Sequence, residues 1–323
     1  MKTDLTLAIC MYNAEKYIEE TLLCIMAQTK QDFYLMIIND CSTDSSADVV
    51  NRFFVEHPRQ YEMVNLPENR GLAFGRRYVE EHADTKYLLF VDADDCPLPL
   101  FVEKLYDKIS SDSQLMAVGC YLEYMNLDGK KTKGGIFIGE TSKNGFYQKA
   151  LKEKLIFMAS TSIYNREVAL SVGGHNIDGF PEGKPRYQDL CEDLDLWTRM
   201  SDLYVDGKAI IVVPEVLYKY RKGDGISTGA YGMLIRMRHI KNNLKRRRSG
   251  EKELSFIDFQ NSLSEKEIAS LKKEAAAVNS FRNAYYYLKK GNFLLFIKNI
   301  FISIYNNPKY MMDKIKHNLL RIK

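Results

Sequence analysis

A chain of 323 residues and 37.4 kDa holds one large or two modest domains, and its 46% apolar and 27% charged content excludes disorder and collagen, mucin or coiled-coil architectures. The formal net charge of +4 divides unevenly: residues 236–323 carry 20 Lys and Arg against 7 Asp and Glu (net +13), and residues 1–235 carry 26 against 35 (net −9). An acidic front repels phosphorylated ligands unless a cation or local donors intervene, whereas a basic tail seeks anions such as a membrane surface or a nucleic acid.

Leu5, Leu7 and Ile9 form an apolar run of strand length, after which Asn13 can cap a helix with Tyr17, Ile18, Thr21, Leu22, Ile25 and Met26 at helical spacing. A buried strand over 33–38 leads to the turn Asp40-Cys41-Ser42-Thr43-Asp44. The next helix carries Val49, Val50, Phe53 and Phe54 on one side and stops before His57-Pro58. Residues 61–66 read as strand, 72–82 as helix and 87–91 as strand. This alternation implies parallel pairing with right-handed crossovers, an arrangement whose ligands gather at the carboxyl ends of the strands. Residues 10–13, 39–44 and 92–96 all fall there. A helix is expected over 99–110, strands over 116–126 and 132–138 around Asp128-Gly129, and a last strand over 210–213 ending before Pro214.

The chemistry lies in two acidic clusters. Asp92-Ala93-Asp94-Asp95 follows directly on the apolar strand, and three carboxylates in four residues repel one another unless solvated or bridged by a cation. Mg2+ or Mn2+ suits them, being shared between carboxylates and substrate phosphates; an acidic loop capping the helix at Pro99 is the plainer alternative. Glu192-Asp193-Leu194-Asp195-Leu196-Trp197 opens a helix, where acids favour the dipole and one carboxylate can serve as general base toward a hydroxyl nucleophile.

Taken in order, Leu7 to Asn13, Ile37 to Asp44, Asn69-Arg70-Gly71, Phe90 to Asp95, Gly173-Gly174 and Glu192 to Trp197 resemble the family 2 glycosyltransferases over roughly residues 4–225. That resemblance implies a GT-A fold, a Rossmann-like α/β mixed sheet flanked by helices, with a catalytic domain over 1–228 (nucleotide-sugar binding 1–97, acceptor side 98–228) and a basic, mainly helical region over 229–323. It implies transfer of a sugar, with inversion, from a nucleotide diphosphate sugar of UDP type to a glycan or lipid-linked glycan in surface polysaccharide synthesis. Asp94 would be the principal ligand of Mn2+ or Mg2+, Asp95 its partner, and Asp92 would hold the ribose or the metal. Tyr12 would lie against the uracil face, and Asp40 would accept from the base's N3–H. Cys10, Asn13, Asn69, Ala93 and Arg76 would complete the nucleotide site, with Arg221 in a loop closing over the diphosphate. Asp193 would be the base with Glu192 beside it, Trp197 would pack under the acceptor, and Ser160, Thr161 and Gly174 would line the sugar pocket.

The chain departs from the family pattern at Cys10, where Pro or Thr is usual, at Asn39-Asp40, where two acids are usual, and at Gly75-Arg76-Arg77, where Ala-Arg-Asn is usual, so Arg77 is the alternative to Arg76. A haloacid-dehalogenase-type phosphatase, which also sets Asp-x-Asp after an apolar strand, needs a hydroxyl where Cys96 stands; a non-catalytic nucleotide-binding module would not need Glu192-Asp193. Neither GxGxxG, GxxxxGK[ST], GxSxG nor HExxH occurs.

Six scattered cysteines without a CxxC pair read as reduced, mostly buried thiols. No window of 18 uninterrupted apolar residues and no leader at Met1-Lys2-Thr3-Asp4 are present, so a cytoplasmic chain, peripheral at most to the inner face of the plasma membrane, is expected. Arg236-Met237-Arg238-His239, Lys245 to Arg248 and the aromatic-basic stretch 284–298 suit an anionic bilayer interface or a helical appendage with a solvated basic side. No RNA-recognition signature accompanies the basic run, so nucleic acid is not expected as a partner.

Overall fold

The apolar runs of the front half become strands buried on both faces. In the computed structural model, which describes residues 3–223 and 229–320 and side chains as far as Lys314, β1 (Leu5–Met11), β2 (Tyr34–Asn39), β3 (Glu62–Asn65) and β4 (Tyr87–Asp92) pair in parallel in the order β3-β2-β1-β4. Three helices make the crossovers: α1 (Ile18–Met26), α2 (Ser46–Glu56) and α3 (Leu72–His82). Covering helices remove both faces of the sheet from water, which is why β1, β2 and β4 read as continuous apolar runs rather than alternating ones. The register sets Cys10 beside Asp92 and Met11 beside Asn39, so three polar clusters share one edge.

Beyond β4 the sheet becomes mixed. It continues through β8 (Ile163–Asn165), β6 (Leu115–Met125), β9 (Ala209–Arg221) and β5 (Cys96–Pro97), while β7 (Lys131–Ile136) pairs with β6. The helix expected from Pro99 is α4 (Phe101–Ser110). The α5 helix (Lys143–Leu151), α6 helix (Arg166–Ser171) and the strands β5 and β8 had no legible pattern. β9 does not stop at Pro214: Cys120 faces Val213 and Tyr121 faces Val216, so Pro214 and Glu215 bulge out and pairing resumes to Arg221. A proline that cannot donate to the ladder is tolerated at such a bulge. The cysteine reading also needs correction. Cys24 on α1 and Cys96 on β5 form a disulfide, while Cys10, Cys41, Cys120 and Cys191 form none.

The described residues divide into two compact units. One runs to Asp178, returns at Cys191–223 and ends with Leu244–Glu251; the other comprises Gly179–Leu190, 229–243 and 252–320. The boundary expected at residue 228, like Met1-Lys2, lies outside the described residues. In the second unit Ile235, Phe256 and Phe259 of α9 (Phe256–Ser262), and Leu271 form a small core, and α10 (Glu265–Lys289) begins with a capping box in which Ser264 and Glu267 exchange hydrogen bonds. α11 (Phe293–Asn306) and α12 (Pro308–Leu320) follow. Among the described residues no helix is long and apolar enough to cross a membrane.

The basic run is not a free cationic surface. At the end of α8 (Ala230–Arg248), Arg247 and Arg248 pair with Asp202 at 2.7 and 2.9 Å, and Arg246 pairs with Glu251 at 2.9 Å. Arg236 is fully buried, its guanidinium 4.7 Å from the Phe180 ring and donating to the Leu190 carbonyl at 3.1 Å.

Candidate active site

The carboxyl edge is built first by backbone donors. Asp40, just past β2, is buried, and its carboxylate accepts from the backbone N–H of Arg70 (2.7 Å) and Gly71 (2.8 Å) and from the Asn69 side chain (3.0 Å). Asp40 therefore fixes the Asn69-Arg70-Gly71 turn that opens α3, and Asn69 is its partner in that work. Asn13, at a positive φ of 51°, accepts from Thr43 N–H at 2.8 Å and binds the β1 and β2 loops together. Tyr12 beside it stays 48% exposed, an aromatic face open to solvent above a rigid edge.

Two of the departures from the family pattern are neighbours. A Cβ added at Gly75 would lie 3.0 Å from the Cys10 sulfur, so the glycine makes room for the cysteine where α3 crosses β1.

The acidic turn after β4 divides its carboxylates by exposure. Asp92 is partly exposed, and its backbone N–H donates to the Tyr218 hydroxyl at 3.1 Å. Burial, followed by the Asp92 charge, pushes the Asp94 carboxyl up to about 6. Asp95 is wholly buried; Oδ1 accepts from the Arg221 N–H at 2.7 Å, Oδ2 has no hydrogen-bond partner, and burial with Asp92 and Asp94 nearby raises its pKa well above the carboxylate range. Asp95 therefore holds the turn through Oδ1 and is sealed from solvent, unlike Asp92 and Asp94. Among the described residues no three His, Cys, Asp or Glu side chains converge as a ready metal cage. Asp92 and Asp94 remain, two oxygen donors whose mutual repulsion a hard cation relieves, a donor set that fits Mg2+ or Mn2+ completed by substrate phosphates. Ala93 between them is buried and its carbonyl accepts from Thr21 Oγ1 at 3.0 Å.

Arg221 also differs from expectation. It is buried, with its Nε on the Asp94 carbonyl at 2.6 Å, one Nη on the Leu127 carbonyl at 2.8 Å, the other on Glu20 at 2.5 Å, and the Tyr17 ring 4.7 Å away. Every arm is engaged in holding α1, the acidic turn and the β6–β7 hairpin together, so it shapes the turn rather than reaching for a diphosphate. Thr21 and Tyr218, missed in the sequence, do the same from below. For Thr21 the available signal was a polar residue on the otherwise apolar face of α1.

The second acidic cluster opens α7 (Glu192–Met200), into which the chain turns through Cys191 at a positive φ of 58°. Arg76 on α3 is 2% exposed and bridges the two clusters: one Nη lies 3.1 Å from Asp92 and the other 2.7 Å from Glu192. The competing attractions hold Arg76 protonated despite burial. Glu192 is buried in this ion pair, and Asp193 stands half-buried next to it. Desolvation raises the Asp193 carboxyl above its ordinary value, although Arg76 opposes the rise. Arg77 is the outer residue, paired with Glu81 at 2.6 Å and donating to the Gly173 carbonyl, so of the two arginines Arg76 is the one that lies between the acidic clusters.

Behind the site, Glu80 accepts from the His175 ring and backbone at 2.8 Å each and from the Tyr164 hydroxyl at 2.9 Å. Gly174, at φ 61°, has no space for a side chain, since a Cβ would sit 2.5 Å from Glu80 Oε2. Arg199 donates to the Gly174 carbonyl at 2.7 Å and pairs with Asp195 at 3.0 Å, tying that turn to α7. Trp197 is buried edge-on against Tyr164 at 5.4 Å; its Nε1 and Thr161 Oγ1 are buried without hydrogen-bond partners, and Ser160 is half-buried before them. Cys96, where a phosphatase would need its hydroxyl, is occupied by the bond to Cys24.

Comparison with known proteins agrees with this architecture. Residues 6–172 match the family model described as glycosyl transferase family 2. The chain is 40% identical over 91 residues, 28% of its own length, to the teichoic acid poly(glycerol phosphate) polymerase of Staphylococcus epidermidis, although the match spans only 13% of that relative. Among solved structures, S. aureus TarS 1–349 in complex with UDP-GlcNAc superposes with a TM-score of 0.56 at 17% identity, covering 92% of this chain and 90% of that one. A mannosyltransferase from Pyrobaculum calidifontis in complex with GDP-Man and Mn2+ gives 0.52 at 17% identity, covering 95% and 88%. The fold is therefore GT-A.

Proposed function

The chain belongs to glycosyl transferase family 2, and from that membership we propose that it is an inverting enzyme that moves a sugar from a nucleoside diphosphate, UDP first among them, to a hydroxyl of a glycan or lipid-linked glycan in surface polysaccharide synthesis. The observation that carries the reading is the Arg76 bridge, which joins Asp92 on the donor edge to Glu192 at the start of the helix bearing Asp193.

Tyr12 offers its open ring to the base, with the turn fixed by Asp40, Asn13 and Asn69 beneath it. Asp92 and Asp94 would hold a divalent cation, which supplies charge neutralisation at the departing diphosphate. Asp193 accepts the proton of the acceptor hydroxyl as its oxygen bonds to the anomeric carbon and the carbon–phosphate oxygen bond breaks, releasing the nucleoside diphosphate. A carboxylate made more basic by desolvation suits that task. Ser160, Thr161, Gly174 and Trp197 form the sugar side, where the two unpartnered polar atoms would gain a hydrogen bond from substrate or water. The acceptor class agrees with relatives such as the teichoic acid polymerase. A lipid-linked acceptor agrees with a chain held peripherally at an anionic membrane by its basic C-terminal region, on the inner face of the plasma membrane.

Donor hydrolysis screened across UDP- and GDP-sugars with Mn2+ tests this, with and without chelator. Activity with one donor, lost on chelation and in Asp94→Ala, is expected; no uptake of any nucleoside diphosphate, together with an Asp94→Ala variant that behaves like the parent, sinks the reading.

A further inference from the structure

Among the described residues of the C-terminal unit, α11 presents an exposed apolar face. α11 packs on α10 through Ser303, which is fully buried and donates to the Ala277 carbonyl at 2.8 Å. At about 100° per residue, Phe293, Leu294, Ile297, Phe301, Ile304 and Tyr305 then fall within roughly a third of the circumference, away from Ser303. All six are exposed, Leu294 to 84% and Tyr305 to 87%. Soluble surfaces rarely carry a contiguous apolar stripe of this kind without a partner.

Charge identifies the partner. Residues 275–312 contain no acidic residue, and residues 282–314 carry six Lys and Arg against Asp313 alone. Lys298 adjoins the stripe, and exposed Lys289 and Lys290 lie just ahead of it beside the exposed rings of Tyr285 and Tyr286. A second copy of this face would oppose lysine to lysine. An anionic bilayer answers both features, since lipid headgroups take the ammonium groups and the acyl boundary takes the aromatic and aliphatic side chains. The 14 residues of α11 extend about 21 Å, too short for a hydrocarbon core of about 30 Å but suited to lying in its interface.

We propose that the exposed face of α11, with Lys289, Lys290 and Lys298, is an interfacial anchor that inserts into an anionic membrane surface. The proposal rests on the peripheral-membrane reading above and specifies its surface, moving it from Lys245–Arg248, whose arginines are consumed in ion pairs.

The test is co-sedimentation of the full chain with vesicles of phosphatidylcholine alone and of equal parts phosphatidylcholine and phosphatidylglycerol. The parent should sediment with the mixed vesicles and be partly released by salt. Leu294→Asp/Phe301→Asp should weaken partitioning more than about a hundredfold, and Lys289→Gln/Lys290→Gln/Lys298→Gln by about a hundredfold at low salt, taking about fivefold per basic side chain. Both variants should keep the parent's circular dichroism. A parent that stays in the supernatant overturns the proposal, as does binding unchanged in both variants. So does a concentration-dependent dimer abolished by the Asp variant without vesicle binding, which would make a second copy the occupant. Donor hydrolysis in vesicle-free buffer separates the two readings: a parent that hydrolyses donor but ignores vesicles removes only the anchor, and one that binds vesicles but hydrolyses nothing removes only the transferase.

Discussion

The carboxyl edge of the sheet and the α11 face invert the usual distribution of residue types. At the edge, Arg76, Glu192, Glu80 and Asp95 are charged or titratable groups taken out of water, each held by specific partners. On α11 the reverse holds, with Phe293, Leu294 and Tyr305 left in water and lysines around them. A buried charge is tolerated only where geometry is fixed, and an exposed apolar stripe only where something else covers it. The contrast separates residues whose replacement disturbs the fold or the chemistry from residues whose replacement changes only what the chain binds.

The sharpest way to break this contrast is at the base. Asp193→Asn should lower transfer by about 10³- to 10⁴-fold while UDP affinity, measured by calorimetry, stays within about a factor of two; equal loss of both would remove the base role. The bridge comes next. Arg76→Met removes the buried cation between Asp92 and Glu192 and should cost about 3–5 kcal/mol in urea unfolding, whereas Arg76→Met/Glu192→Leu should recover much of that stability but not the activity. If the single and double variants are equally stable, the bridge has no energetic meaning.

Glu80 gives the pH-dependent arm. Although burial alone would raise its pKa, the hydrogen bonds and charge interaction from His175, with the Tyr164 hydroxyl, hold Glu80 below its ordinary 4.5. A lowered folded pKa means the contribution is fully present above about 4.5 and is lost as pH falls through the lowered value. Glu80→Gln should therefore cost about 1–3 kcal/mol near neutrality, with the gap to the parent narrowing below pH 4.5 in urea titrations. A gap constant across that range would argue against an ionised Glu80. The smallest effect belongs to α11: Ile297→Ser should change stability by no more than about 0.5 kcal/mol, and a larger loss would mean that the face is packed rather than waiting for a partner.

The sequence alone determined the order of elements in the front half and the strand ends on which chemistry collects. That information is local, because apolar periodicity, turn residues and the right-handed crossover fix which ends of parallel strands share an edge, and so residues 10–13, 39–44 and 92–96 could be placed there, while Tyr12, Asp40 and Asp94 were singled out within them only by the family resemblance. Partner choice was decided only by the tertiary structure. Arg76 meets Glu192 across 116 positions, Arg221 reaches back 201 positions to Glu20, and Cys24 bonds Cys96 across 72. No spacing rule encodes such pairs, since an arginine reads the same in sequence whether it will face a phosphate or be sealed beneath a turn. Desolvation and the geometry of distant segments decide which, and both exist only once the sheet has closed around them.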